Sequence, residues 1–200
     1  MRQPFLVNGQ ILTHCAIKCE PAGSQLRLNQ SHTELMVHST EPRLGTFLRK
    51  TKVYILNING FDTHDAQVDA NNTMIGNHAD LLKRLSDAIS AFQNDLGLLG
   101  ISNRVAGLTF SEFGRQIASN GSLGTDHGDA APMFLFGSCI NSGIIGSNPV
   151  IPGTVTSQDA VPMQIDFRDI YASILKDWFE VPEIEIQPLF EQAITYYQVL

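Results

Sequence analysis

Three short polar clusters hold the side chains best able to do chemistry. They are Asp62, His64 and Asp65 in Gly60-Phe61-Asp62-Thr63-His64-Asp65, Glu112 and Arg115 in Ser111-Glu112-Phe113-Gly114-Arg115, and Asp126, His127 and Asp129 in Thr125-Asp126-His127-Gly128-Asp129. Carboxylate oxygens and imidazole nitrogens together form a ligand set for zinc or manganese, and two such ions about 3.5 to 4 Å apart clamp a phosphoryl-type group. A bound ion also lowers the pKa of its water toward about 7, which gives hydroxide near neutral pH. Arg115 would hold an anionic substrate through its planar fork. Each cluster has a plain structural reading as well. Asp-Thr-His after a strand suits an Asx-turn, Gly-Thr-Asp-His-Gly is good turn chemistry, and Glu112 with Arg115 suits a surface ion pair. Ser111 lacks a Gly-x-Ser-x-Gly elbow, which argues against a nucleophilic serine, and His78 reads as a surface residue in the first turn of a helix.

The elements that would position these clusters follow from hydrophobic periodicity. Val53-Tyr54-Ile55-Leu56-Asn57-Ile58 reads as a strand running into Gly60. Leu81, Leu82, Leu85, Ala88, Ile89, Phe92 and Leu96 recur at helical steps, which predicts an amphipathic helix with Asn77 as N-cap, stopped at Gly97 and Gly100. Residues 104–110 form a second strand. Strand, helix, strand is a βαβ unit, so the two strands should be parallel. In such a sheet ligands bind beyond the carboxyl ends of the strands, so the first two clusters should open on one edge, with the third returning to it. Further on, Met133-Phe136 reads as a short strand, Asp166-Phe167-Arg168-Asp169 introduces a second helix closed by Pro182, and Leu189–Leu200 is expected to be helical. Residues 1–50 show no sustained period and place no core element.

At 200 residues, 43% hydrophobic and 16% charged, the chain can bury a core, and general disorder is excluded. The net charge of −7 is unevenly spread: residues 1–50 hold six Lys and Arg against three Asp and Glu, residues 51–200 seven against seventeen. An acidic body repels phosphate backbones, so nucleic acid is not an expected partner. No apolar run is long enough for a membrane span, and no export signal opens the chain, which as written reads as cytoplasmic. Three cysteines exclude a disulfide scaffold. Cys15, Cys19, His32 and His38 do satisfy the ligand spacing of a Cys2His2 zinc finger, but Gly23 and Asn29 stand where that fold needs its apolar residues.

Several of these segments together resemble a known family. Lys52-Val53-Tyr54 leading into Gly-Phe-Asp-Thr-His-Asp-Ala-Gln (60–67), His78-Ala79-Asp80-Leu81-Leu82, Phe-Ser-Glu-Phe-Gly-Arg (110–115), Asn120 and Gly-Thr-Asp-His-Gly (124–128) are similar to the bacterial domain of unknown function 1501, over about residues 45 to 180. That family is placed by similarity with alkaline phosphatases and sulfatases. The resemblance implies an α/β fold, alkaline-phosphatase-like, with a partly parallel sheet and helices on both faces. It implies that Asp126 and His127 bind one metal and that Asp62 and His64 belong to another site. No histidine follows His127, and the Gly-Gly-Asn-Asp-like opening of the family has no match in residues 1–50. The chain therefore resembles the C-terminal half of such a protein, truncated on its N-terminal side. Residues 46–200 form the domain and 1–45 a poorly defined segment. Relatives are often exported.

Two functional expectations stand side by side. One is a metal-dependent hydrolase-like domain for a small anionic phosphate or sulfate ester, with zinc or manganese on Asp62, His64, Asp126 and His127, Glu112 as ligand or base, and Arg115 holding the anion. The other is a non-catalytic structural or binding protein in which the same residues only fix loops. Binding through a zinc finger over 15–38 is a weaker third.

Overall fold

A computed structural model describes residues 11–17 and 53–200. Its strands are β1 (Ile11–Ile17), β2 (Val53–Ile58), β3 (Val105–Ser111), β4 (Gly114–Arg115), β5 (His127–Gly128) and β6 (Leu135–Phe136). Its helices are α1 (Asn77–Leu98), α2 (Phe167–Asp177) and the short α3 (Glu183–Ile186). The main sheet has the order β2-β1-β3-β6, and β4 pairs separately with β5.

Strand β1 comes from the segment in which the sequence placed no core element, and it lies between β2 and β3, antiparallel to both. The parallel relation expected of β2 and β3 is therefore one of direction only: among the described residues every pairing is antiparallel. Cys15 occupies the middle of β1, opposite Tyr54 on one side and Gly107 on the other. Cys19, His32 and His38, the other members of the finger-like spacing, lie outside the described residues.

Strand β3 is buried from Val105 to Thr109 because it is covered on both faces. On one face Val105 packs with Leu96 and Phe92 of α1 and with Tyr54 of β2. On the other, Leu108 packs with Ile170 and Ile174 of α2 and with Val199 near the C-terminus. Alternation along a strand sends successive side chains to opposite layers, so one strand serves two cores. Gly107 has no side chain to offer, and the ring of Phe136 on β6 fills that space: a Cβ at Gly107 would lie 2.2 Å from it.

Helix α1 starts after Gly76, which sits at φ +131° and makes no side-chain cap, so Asn77 is the first helical residue and not the N-cap. The helix ends at Leu98, with Gly100 in the left-handed region at φ +68° just beyond. Asp166 does cap α2, accepting from the Arg168 backbone N–H at 2.9 Å while ion-pairing with the Arg168 guanidinium. That guanidinium holds the Asp166 carboxyl below its ordinary pKa. The cap therefore contributes fully above the unfolded carboxylate value and is lost as pH falls through the lower folded one. Asp166→Ala is expected to cost about 1 kcal/mol at neutral pH, and Asp166→Asn less, read as the midpoint shift in urea.

The helix expected over Leu189–Leu200 does not form. Two of its backbone N–H groups go to side chains of α2 in place of i−4 carbonyls: Thr195 N donates to Asp169 Oδ1 at 3.1 Å and Tyr197 N to Ser173 Oγ at 2.9 Å. Among the described residues no helix is long and apolar enough to cross a membrane.

Candidate metal centre

The register of the sheet brings the first two clusters together. Ile11 of β1 lies opposite Ile58, the last residue of β2, and on its other side opposite Ser111, the last residue of β3. The loops that follow β2 and β3 thus leave at one edge. The third cluster returns there because β4 pairs with β5, which sets Arg115 opposite His127. Backbone bonds complete the docking of the segment around residue 124 onto the Phe61 turn: Ala66 N donates to Ser122 O at 3.0 Å and Val68 N to Leu123 O at 3.3 Å. Gly124 crosses so close to the turn that a Cβ there would lie 2.2 Å from the His64 carbonyl oxygen.

Three nitrogens converge on one carboxylate oxygen. Asp62 Oδ1 lies 2.8 Å from His127 Nε2, 3.1 Å from His64 Nε2 and 3.5 Å from Arg115 Nη2. His64 Nδ1 meets Asp126 Oδ1 at 3.0 Å, and Asn120 Nδ2 donates to that same oxygen at 3.2 Å. With its proton on Nδ1 toward Asp126, a neutral His64 turns the Nε2 lone pair at a carboxylate lone pair. That arrangement is satisfied only by a shared cation, either an added proton or a metal ion. Asp62, His64 and His127 each offer a ligand atom within 4.8 Å of the others. Donors about 2.0 to 2.2 Å from one zinc ion lie about 3.3 Å from one another, so this trio could hold a metal.

Asp126, expected as a ligand, meets His64 Nδ1 and is outside the group formed by Asp62, His64 and His127. It stands behind His64, where a carboxylate fixes the tautomer and ring orientation of a ligating histidine. His127, expected at a separate site from Asp62 and His64, stands beside them, and among the described residues these three are the one group of ligand-type side chains that could hold a metal. Hydrogen bonding from His127 holds the Asp62 carboxyl below its ordinary value against a smaller opposing effect of burial, and hydrogen bonding from His64, then Asn120, does so for Asp126. Both carboxyls therefore stay ionised to lower pH than a free aspartate.

Residues 45–187 match the family described as protein of unknown function (DUF1501). The chain belongs to the DUF1501 family. No curated protein and no solved structure matches it.

Arg115 of this DUF1501 chain serves as a strut. Its Nη1 donates to Thr125 O at 2.7 Å, and its Nη2 donates to Phe61 O as well as facing Asp62. The guanidinium therefore ties the Phe61 turn to the His127 turn through carbonyl oxygens, and most of the fork expected to grip a substrate is committed. A lysine cannot reach both carbonyls. Arg115→Lys is expected to lower stability by about 2 kcal/mol and to weaken metal uptake together with it, read by thermal melts and metal titration on one sample. Glu112 is exposed and takes part in none of the cluster's contacts, and Asp65 and Asp129 do not join it either.

Other contributors of the DUF1501 site were not assigned a role from sequence. Phe113 stacks on His127 with ring centroids 3.8 Å apart and an interplanar angle of 10°, and the Arg115 guanidinium carbon lies 4.9 Å from the centroid of the same Phe113 ring. Gln67 Oε1 accepts from Thr63 Oγ1 and Thr125 Oγ1, joining both turns from below. Asn120 Oδ1 accepts from Ser122 N and Gly124 N, an Asx-turn for which the Asn120-Gly121 pair was the available signal. His78 is half-buried and edge-on to Phe61 with centroids 6.0 Å apart, unlike the surface residue its place in the first turn suggested.

Proposed function

We propose that this protein is a metal-dependent hydrolase of phosphate or sulfate esters built on an alkaline-phosphatase-like α/β scaffold. One observation carries the reading: two imidazole Nε2 atoms and a guanidinium nitrogen crowd a single Asp62 oxygen on the strand-end edge of the sheet. The side chains of Asp62, His64 and His127 are 43%, 45% and 46% exposed, which leaves a fourth position on any ion open to water or substrate. Zinc or manganese held by those three residues would supply Lewis-acid polarisation of an ester oxygen and a water acidic enough to ionise near pH 7. Asp126 would keep His64 in the tautomer that binds, and Asn120 would keep Asp126 in place.

A second reading has its own support. Arg115 spends its N–H groups on carbonyls, and Glu112 stands apart. In a non-catalytic protein the same contacts would simply join two loops. Elemental analysis of the purified chain, followed by hydrolysis of phosphate and sulfate monoesters with and without chelator, separates the two. The hydrolase reading expects about one zinc or manganese ion per chain and turnover that chelator abolishes. A well-folded chain that retains neither metal and cleaves neither ester class would be the loop-fixing protein.

A further inference from the structure

A cavity of about 280 Å³ lies between α1, the end of β3 and the segment around Pro132. Its wall carries the rings of Phe61, Phe110, Phe113 and Phe134 with the side chains of Leu82 and Leu85. Several polar atoms on the same wall are engaged by the protein, whereas the buried Nδ1 of His78 has no hydrogen-bond partner. Gln67 Oε1 accepts two threonine hydroxyls, Ser111 Oγ donates to Phe113 O at 2.7 Å, and Thr109 Oγ1 accepts from Phe134 N at 3.0 Å. Burial, reinforced by the charge of Arg115, disfavours the protonated form of His78 on that wall. Apart from that one imidazole nitrogen, the wall offers a ligand chiefly the aromatic rings and the two leucine side chains. A polyhydroxylated group would lose the water of several hydroxyls there and find too few partners to replace it.

The cavity and the metal centre share walls. Phe113 lines the cavity and stacks on His127, Phe61 precedes Asp62, and Arg115 borders both. We propose that this cavity seats an uncharged aromatic ring of a ligand whose anionic group is held at Asp62, His64 and His127. Resting on the hydrolase reading, this narrows the substrate class to aryl esters over sugar or short alkyl esters. Ligand pockets commonly begin near 300 Å³, so the space suits one ring or a fused pair.

Calorimetric titration of the full chain with 2-naphthol, which has the ring and no anionic group, reads the cavity alone. Binding is expected with or without metal. It should weaken by roughly tenfold or more, the worth of burying one ring, in Ala131→Phe at the exposed rim and in Leu82→Trp on α1. Circular dichroism checks that each variant is folded, and two occluding positions on different elements guard against a local accident. The KM for 2-naphthyl phosphate should rise by a similar factor in Ala131→Phe while that for ethyl phosphate stays put. If 2-naphthol does not bind, or binds both occluded variants as well as it binds the native chain, the inference is overturned whatever the metal content. A chain that takes no metal and cleaves neither ester sinks the hydrolase reading instead, and the naphthol titration still decides the cavity.

Discussion

Asp62→Ala is expected to abolish tight zinc uptake, and Asp126→Asn to weaken it by about 10- to 100-fold, the usual effect of losing the outer partner of a ligating histidine. The contrast follows from position. Asp62 Oδ1 is the one atom that both Nε2 nitrogens face, so removing it leaves two imidazoles and no anionic donor. Asparagine at 126 keeps the size of the side chain and an acceptor for His64 Nδ1, but it gives up the charge that makes that imidazole a stronger donor to metal. His127→Ala is expected to match Asp62→Ala and to free the ring of Phe113 from its stack. Competition titration against a fluorescent zinc chelator measures all three. Equal losses for Asp62→Ala and Asp126→Asn would mean that both carboxylates bind the ion directly, as the sequence suggested.

Gly124→Ala is expected to separate metal binding from folding. The added carbon would meet the carbonyl oxygen of His64 at 2.2 Å and that of Thr63 at 2.7 Å, both backbone atoms that cannot swing aside. Either the turn carrying Asp62 and His64 or the turn carrying Asp126 and His127 must shift, and the four residues then lose register. A cost of about 2 to 3 kcal/mol is typical of such overpacking, and because the strain falls at the edge of the sheet, far-ultraviolet circular dichroism should keep its native helical signal. Gly121→Ala in the same loop is the control. Nothing lies within 4 Å of a Cβ at that site, so its stability and zinc affinity should stay near native. A Gly124→Ala protein with full zinc affinity would show that the two turns need not touch to bind metal.

Sequence made the site more legible than the sheet. Asp62, His64 and His127 stand out because imidazole and carboxylate at strand ends suggest ligation before any coordinates exist, and the turns carrying them do meet. Arg115 was visible as a lone cation but not as a brace, because its partners are the carbonyl oxygens of Phe61 and Thr125, which no residue type announces. The same limit applies to the C-terminal stretch, where Thr195 and Tyr197 bond side chains of α2 and so lose the helix their apolar spacing suggested. Strand β1 escaped notice because Ile11–Ile17 mixes Thr13, His14 and Cys15 with apolar residues, and the residues it pairs with lie far along the chain.

That strand has a practical consequence for anyone producing the protein in pieces. A fragment cut to the span that matches the family, residues 45–187, would discard both β1 and the tail that delivers Val199 beneath α2. Two unsatisfied ladders would face each other across a slot about 9.6 Å wide, twice the usual spacing of paired strands. Such a fragment would invite edge-to-edge aggregation. Recombinant work should begin upstream of Ile11 and run through Leu200.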